Sequence, residues 1–216
     1  MSVQCEAVQR WRGAEFALIY IAAPLVHFAF FDTLGVFAPL GVLMLAGVVL
    51  LAATPGFGWR ELADVRALSG WLPFIVAFAV ASVVIIGGLT LALVPERLLS
   101  LPRYQPSLWA AIMVLYPLVS VLGQEILFRP LFFRRYGHLF GSQRAAVLAN
   151  GVVFALAHAF YQNGVALSLT FLGGLVFGWV YARSGSFPLV FILHGLAGQA
   201  IFTLGLGVYF YHGAIP

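Results

Sequence analysis

Long apolar runs, broken by short polar or proline- and glycine-marked stretches, set the pattern of this chain. A run of 18 or more apolar residues matches a hydrocarbon core about 30 Å thick, whereas a membrane barrel alternates over segments of ~10 residues. The pattern therefore predicts an all-α, polytopic transmembrane helical bundle of about seven spans, near 16–31, 33–53, 71–94, 107–133, 144–161, 165–182 and 187–206. Pro55-Gly56 and the polar stretch from Arg60 to Arg66 separate the second span from the third, and Pro95, Pro102 and Pro106 mark the next connection. Gly137 and Gly141, then Asn163-Gly164, then Ser184-Gly185-Ser186 with Pro188 mark the remaining turns. A re-entrant or interfacial segment near 95–106 would raise the count to eight. No repeat and no compositional shift divides the chain, so 1–216 reads as a single integral membrane domain.

Composition sharpens this picture. The chain is 62% hydrophobic and 8% charged, against about 25% charged residues in a soluble domain. So few charges do not cover the surface of a soluble fold of this size. The net charge of +4 is carried by arginine, with no lysine, and the arginines sit at the ends of apolar runs. Membrane topology explains that placement better than nucleic-acid binding. With the N-terminus on the cytoplasmic side, nine arginines (10, 12, 60, 66, 129, 134, 135, 144 and 183) fall on that side, and two, Arg97 and Arg103, on the other. Arg10 and Arg12 before an apolar run resemble a signal peptide, but no small-x-small cleavage site follows, so the segment reads as a retained first helix. One cysteine, Cys5, excludes an intramolecular disulfide and a cysteine zinc cluster.

Ionisable groups inside spans then carry the information, because a mid-bilayer charge costs at least ~2.5–3.5 kcal/mol. Glu125, Arg129, His158 and His194 stand out, with His27 a weaker fifth. Glu125 and Arg129, four apart, share a helix face and read first as an internal ion pair. The Gly141-Ser142 turn lies midway between Glu125 and His158, so antiparallel helices joined there bring both to matching heights, ~25 Å from the turn at 1.5 Å per residue. His194 falls at a comparable depth in the last span. Gly173, Gly174, Gly178, Gly195 and Gly198 are small positions for close helix packing. A carboxylate and two imidazoles in a dry cavity suit hydrolysis: Glu125 as base on water, one His sharing that water, the other donating to an oxyanion. The same trio also makes a two-His, one-carboxylate zinc set, and no HExxH motif decides between the two.

Gln124-Glu125-x-x-x-Arg129, then Phe154-x-x-x-His158, then His194 in the last span after the Ser-Gly-Ser turn, resembles the CAAX-protease and bacteriocin-processing (CPBP, or Abi) family of intramembrane endopeptidases. The likeness covers about residues 107–206, which form the motif-bearing core. It implies a CAAX-type protease that hydrolyses a peptide bond of membrane-associated protein or peptide substrates with glutamate- and histidine-activated water. It also implies a bacterial plasma membrane as the location, and no cofactor unless Glu125, His158 and His194 bind zinc. By position, the family's functional residues fall on Glu125, Arg129, Phe154, His158 and His194. Two positions depart: Gln124 stands where the family has the first Glu of a pair, and Gly198 where it has an Asn in the oxyanion hole. Either a local helix distortion turns Glu125 into the base and Gln199 or a backbone N–H replaces the Asn, or the chain is an inactive scaffold serving peptide tolerance or sensing. A small proton-coupled transporter is a third class, though the inverted repeats that favour one are missing. The expected partners are the substrate and the lipid bilayer, without nucleic acid; the sequence leaves the oligomeric state open.

Overall fold

The structure, a computed structural model, describes residues 3–210; for residues 3–8 and Arg10 it describes only the backbone, so the Cys5 thiol lies outside the described side chains. Among the described residues there is no strand. Long helices follow the apolar runs in order: α1 (3–29), α2 (Phe37–Ala52), α3 (Leu68–Leu93), α4 (Pro106–Phe140), α5 (Gln143–Leu156, continued by a turn at Ala159–Tyr161), α6 (Gly164–Ser184) and α7 (Phe187–Leu204).

Five of them, α3 to α7, are long and apolar enough to cross a membrane. The expected spans at 16–31 and 33–53 fall on α1 and α2, which do not combine that length with that apolar character. α2 has 16 residues, about 24 Å at 1.5 Å per residue, short of a ~30 Å core. α1 begins with the polar stretch Val3–Ala17, which leaves only its second half apolar. Residues 95–106 hold two short turns of helix, Pro95–Arg97 and Ser100–Tyr104, joined through Leu99 in the left-handed region.

The turns follow from capping chemistry. The first N–H groups of a helix have no partner inside it, and short polar side chains supply one. Ser142 accepts from Ala145 N–H at 3.2 Å, Asn163 from Ala166 N–H at 2.8 Å, and Ser186 from Leu189 N–H at 3.4 Å. Gly141 and Gly185 take the positive φ that ends the preceding segments. α5, α6 and α7 thus start at the turns the sequence marks, one residue after Ser142, Asn163 and Ser186.

α4 occupies the middle of the bundle and packs against α1, α2, α5 and α7. Its side chains from Leu127 to Phe132 are all buried. Pro117 and Pro130 lack the N–H that an α-helix needs, and α4 widens into π-helix at Pro117–Val121 and Leu127–Tyr136. α3 by contrast packs on α7 and leaves Val76, Val80, Val83, Val84 and Leu91 exposed, an apolar face suited to lipid. α5 and α6 approach most closely where Gly151 faces Gly174: a Cβ added at 174 would lie 3.0 Å from the Gly151 Cα.

The arginines gather at the two ends of the bundle. At one end Arg135 donates to Glu15 at 2.6 Å and to Thr54, Arg134 pairs with Glu61, and Gln143 reaches the Ala182 carbonyl. In the nearby loop Asp64 accepts from the guanidinium and backbone N–H of Arg66, which hold its carboxyl down to about 2. Arg97 and Arg103 lie at the other end, where Gly205 fits against the Arg97 carbonyl. Arg129 is the exception: it is fully buried, so it belongs to the interior and not to the positive end on which the sequence pattern placed it.

Candidate active site

α4 carries Gln124 and Glu125 between its two π-helical stretches, and neighbouring helix positions point ~100° apart. The consequence is a division of labour. Glu125 points into the protein and is 0% exposed; Gln124 faces a cavity. An isolated carboxylate there would be costly, and three groups answer it. Arg129 Nε donates to Glu125 Oε2 at 3.0 Å, Arg129 Nη2 approaches Oε1 at 3.3 Å, and His194 Nδ1 meets Oε1 at 2.9 Å.

The arginine is itself answered. Its Nη1 donates to the Phe128 carbonyl and to the Asn150 side chain, and Asn150 in turn donates from Nδ2 to the same Phe128 carbonyl at 2.8 Å. The Phe154 and Phe177 rings cover the guanidinium, with centroids 5.1 and 5.7 Å away. Phe154 also separates the two histidines, 4.7 Å from the His158 ring and 5.5 Å from that of His194.

His158 sits just beyond the last turn of α5. Its backbone N–H bonds the Ala155 carbonyl, which leaves the Phe154 carbonyl without its helical partner. His158 Nδ1 fills that place at 2.7 Å. An N–H donated from Nδ1 leaves the lone pair on Nε2, so the chain end itself selects the tautomer. At His194 the carboxylate holds Nδ1–H, and Nε2 lies 3.2 Å from the Tyr116 hydroxyl.

The cavity has a volume of about 220 Å³ between α3, α4, α6 and α7, and Tyr116, Gln124, His158 and His194 supply polar groups to apolar walls that include Phe78, Ile86 and Phe202. A second cavity of about 80 Å³ lies towards α1 and α2 and includes His27 in its wall. Ser120, Gln124, His158 and Tyr161 line both. Gln124 Nε2 donates to Ser120 Oγ at 2.8 Å, while its buried Oε1 has no partner. An orphaned acceptor on a residue that shares both cavity walls with the His158 imidazole is a place for a water molecule or a substrate N–H.

The three groups singled out in the sequence thus reach one region, in an arrangement the sequence did not specify. Glu125 bonds His194 and Arg129 and does not line the cavity, and no bond joins it to His158. Glu125 would need an oxygen free towards the cavity to act on water, and both oxygens accept. Of the supporting positions, Phe154 and Gly198 line the cavity, whereas the Gln199 amide donates to the Met113 carbonyl at 2.9 Å and ties α7 to α4. Among the described residues no three His, Cys, Asp or Glu side chains group as metal ligands, and Glu125 and the nitrogens of His194 face other partners.

Sequence reasoning passed over Asn150 and Tyr116. Asn150 carried a usable signal, since it lies four residues before Phe154 and eight before His158, on one helix face of an apolar run. Tyr116 carried none, because aromatic residues are common in such runs.

The family described as type II CAAX prenyl endopeptidase, Rce1-like, matches residues 106–198. That match bears out the resemblance to the CAAX-protease family over the segment from α4 into α7 that builds the site. Neither the curated proteins nor the solved structures give a match.

Proposed function

We propose that this chain is an intramembrane endopeptidase that hydrolyses a peptide bond of a membrane-associated protein, with His158 as the base on water. The observation that carries the reading is that one cavity is lined by both His158, whose Nε2 lone pair is fixed by the bond at Nδ1, and Gln124, whose Oε1 is orphaned. A water there donates one hydrogen to each. As its oxygen attacks the substrate carbonyl carbon, His158 Nε2 takes one proton and the carbonyl electron pair moves onto oxygen. When the tetrahedral intermediate collapses, the C–N bond breaks and the leaving nitrogen takes that proton from His158. Glu125 acts on His194 instead of on water: it holds Nδ1 and directs Nε2 to the oxyanion side, with its charge offset by Arg129. A neutral Gln124 is compatible with this scheme, because it must accept a hydrogen bond and not a proton.

The cavity walls are mostly apolar and, among the described residues, carry no arginine, aspartate or glutamate, which favours an uncharged side chain at the cut. α1 and α2 complete seven helices with the arginine-rich end in the cytoplasm.

The test is cleavage of a pool of apolar quenched fluorogenic peptides by the purified chain in detergent micelles. Turnover by the wild type, lowered on the order of 10²- to 10⁴-fold in His158→Ala, is expected. Equal turnover in both would end the reading. A second reading rests on Gln124 itself, which is no base: the chain would be a scaffold that binds peptides without cutting them. Silence from the wild type together with turnover in Gln124→Glu would favour that reading.

A further inference from the structure

A hydrogen-bond donor for the oxyanion is needed on the His194 side of the cavity, and His194 does not reach the cavity alone. Tyr116 stands in front of its Nε2, at 3.2 Å, and lines the cavity with it. The tyrosine is seated by an absence. A Cβ added at Gly198 would overlap the Tyr116 ring and lie 2.5 Å from its hydroxyl oxygen, so the phenol fills the space that a side chain at 198 would take. Three contacts hold that seat, each between α4 and the antiparallel α7. Trp109 Nε1 donates to Thr203 Oγ1 at 3.0 Å, Gln199 Nε2 to the Met113 carbonyl at 2.9 Å, and Tyr116 meets His194. Positions 109, 113 and 116 follow the i, i+4, i+7 repeat of one helix face, so the ladder fixes the height of the tyrosine.

We infer that the Tyr116 hydroxyl is the catalytic donor to the oxyanion, at the end of a relay from Arg129 through Glu125 and His194. The inference rests on the hydrolytic reading above. With Nδ1–H held by Glu125, His194 Nε2 keeps its lone pair and accepts from the Tyr116 hydroxyl, which fixes the phenol at the cavity wall; as charge develops on the substrate oxygen, the hydroxyl turns its proton to that oxygen. Arg129 balances the Glu125 charge. No covalent bond to Tyr116 forms or breaks.

The experiment compares Tyr116→Phe with the wild type on a peptide that the wild type cleaves, with the melting temperature as the check on folding. Phenylalanine keeps the ring over Gly198 and removes only the hydroxyl. A kcat about 10²-fold lower, with KM within about twofold, is expected for a lost oxyanion donor. An unchanged kcat, or a change confined to KM, would overturn the assignment. The second arm exchanges the donor. A short amide side chain at 198 reaches the same point once the ring is gone, so Tyr116→Ala with Gly198→Asn should turn over at least tenfold faster than Tyr116→Ala alone. No gain would count against the hydroxyl's place in the site. If His158→Ala abolishes cleavage and Tyr116→Phe does not, only this inference falls; if the wild type cleaves nothing, the hydrolytic reading falls and takes it along.

Discussion

A carboxylate with no access to solvent survives only where its charge is answered in place, and Glu125 shows how a single buried acid organises its neighbours. Arg129 and His194 take its two oxygens, Asn150 takes the far side of the arginine, and Phe154 and Phe177 cover the guanidinium. Both members of the ion pair are 0% exposed, so removal of one leaves the other uncompensated. Arg129→Met should therefore cost about 3–5 kcal/mol of stability, read from denaturant unfolding in micelles. Adding Glu125→Gln should recover much of that loss, since a neutral pair needs no counter-charge. Equal stability of Arg129→Met and wild type would show that the pair carries no such burden. The sequence reading of an i, i+4 ion pair holds at this scale. What it lacked was the direction of each oxygen, because a spacing of four says that two side chains meet and not what else they meet.

The helices carry these residues through a few local devices. α4 widens at its prolines, α5 ends two residues before His158, and α7 is tied to α4 by the Trp109, Gln199 and Tyr116 contacts. The close approach of Gly174 to Gly151 sets Phe154, since a Cβ at 174 would also lie 3.0 Å from the Phe154 Cβ. Gly174→Ala must push the helices or the ring apart and should cost about 1–3 kcal/mol, with weaker cleavage as Phe154 shifts between the histidines. Gly88→Ala, in α3 with nothing within 4 Å of an added Cβ, is the control and should be neutral or slightly stabilising, by about 0.5–1 kcal/mol. Thermal unfolding of the two variants side by side decides the matter; equal effects would remove the packing argument. The small-residue reading of Gly174 was available from the sequence, but its partner on α5 was not, because Gly151 meets it only through the fold.

For the whole molecule, the arginine-rich end predicts sidedness. In a Cys5→Ser background, Arg183→Cys should react with an impermeant thiol reagent only from the cytoplasmic face, and Arg103→Cys only from the opposite one. Labelling of both from the same face would reverse or break the topology drawn from the arginines. Arg129 had been counted towards that bias and is spent instead on a buried carboxylate, because a charge seen in sequence looks the same whether it ends in the headgroups or in the core.

What the chain alone determined is what depends on local order: helices, since every buried backbone group in lipid needs an internal partner; their turns, since the caps at Ser142, Asn163 and Ser186 act within a few residues; and the identity of the ionisable groups that no lipid-facing helix would keep. Only the tertiary structure decided that Gln124, and not Glu125, faces the cavity, that Glu125 bonds His194, and that Tyr116 fills the space over Gly198. Those are directions and contacts between helices far apart in sequence. A rotation of ~100° between neighbours on one helix settles which of two adjacent side chains faces the cavity, and the packing of the other helices settles that rotation.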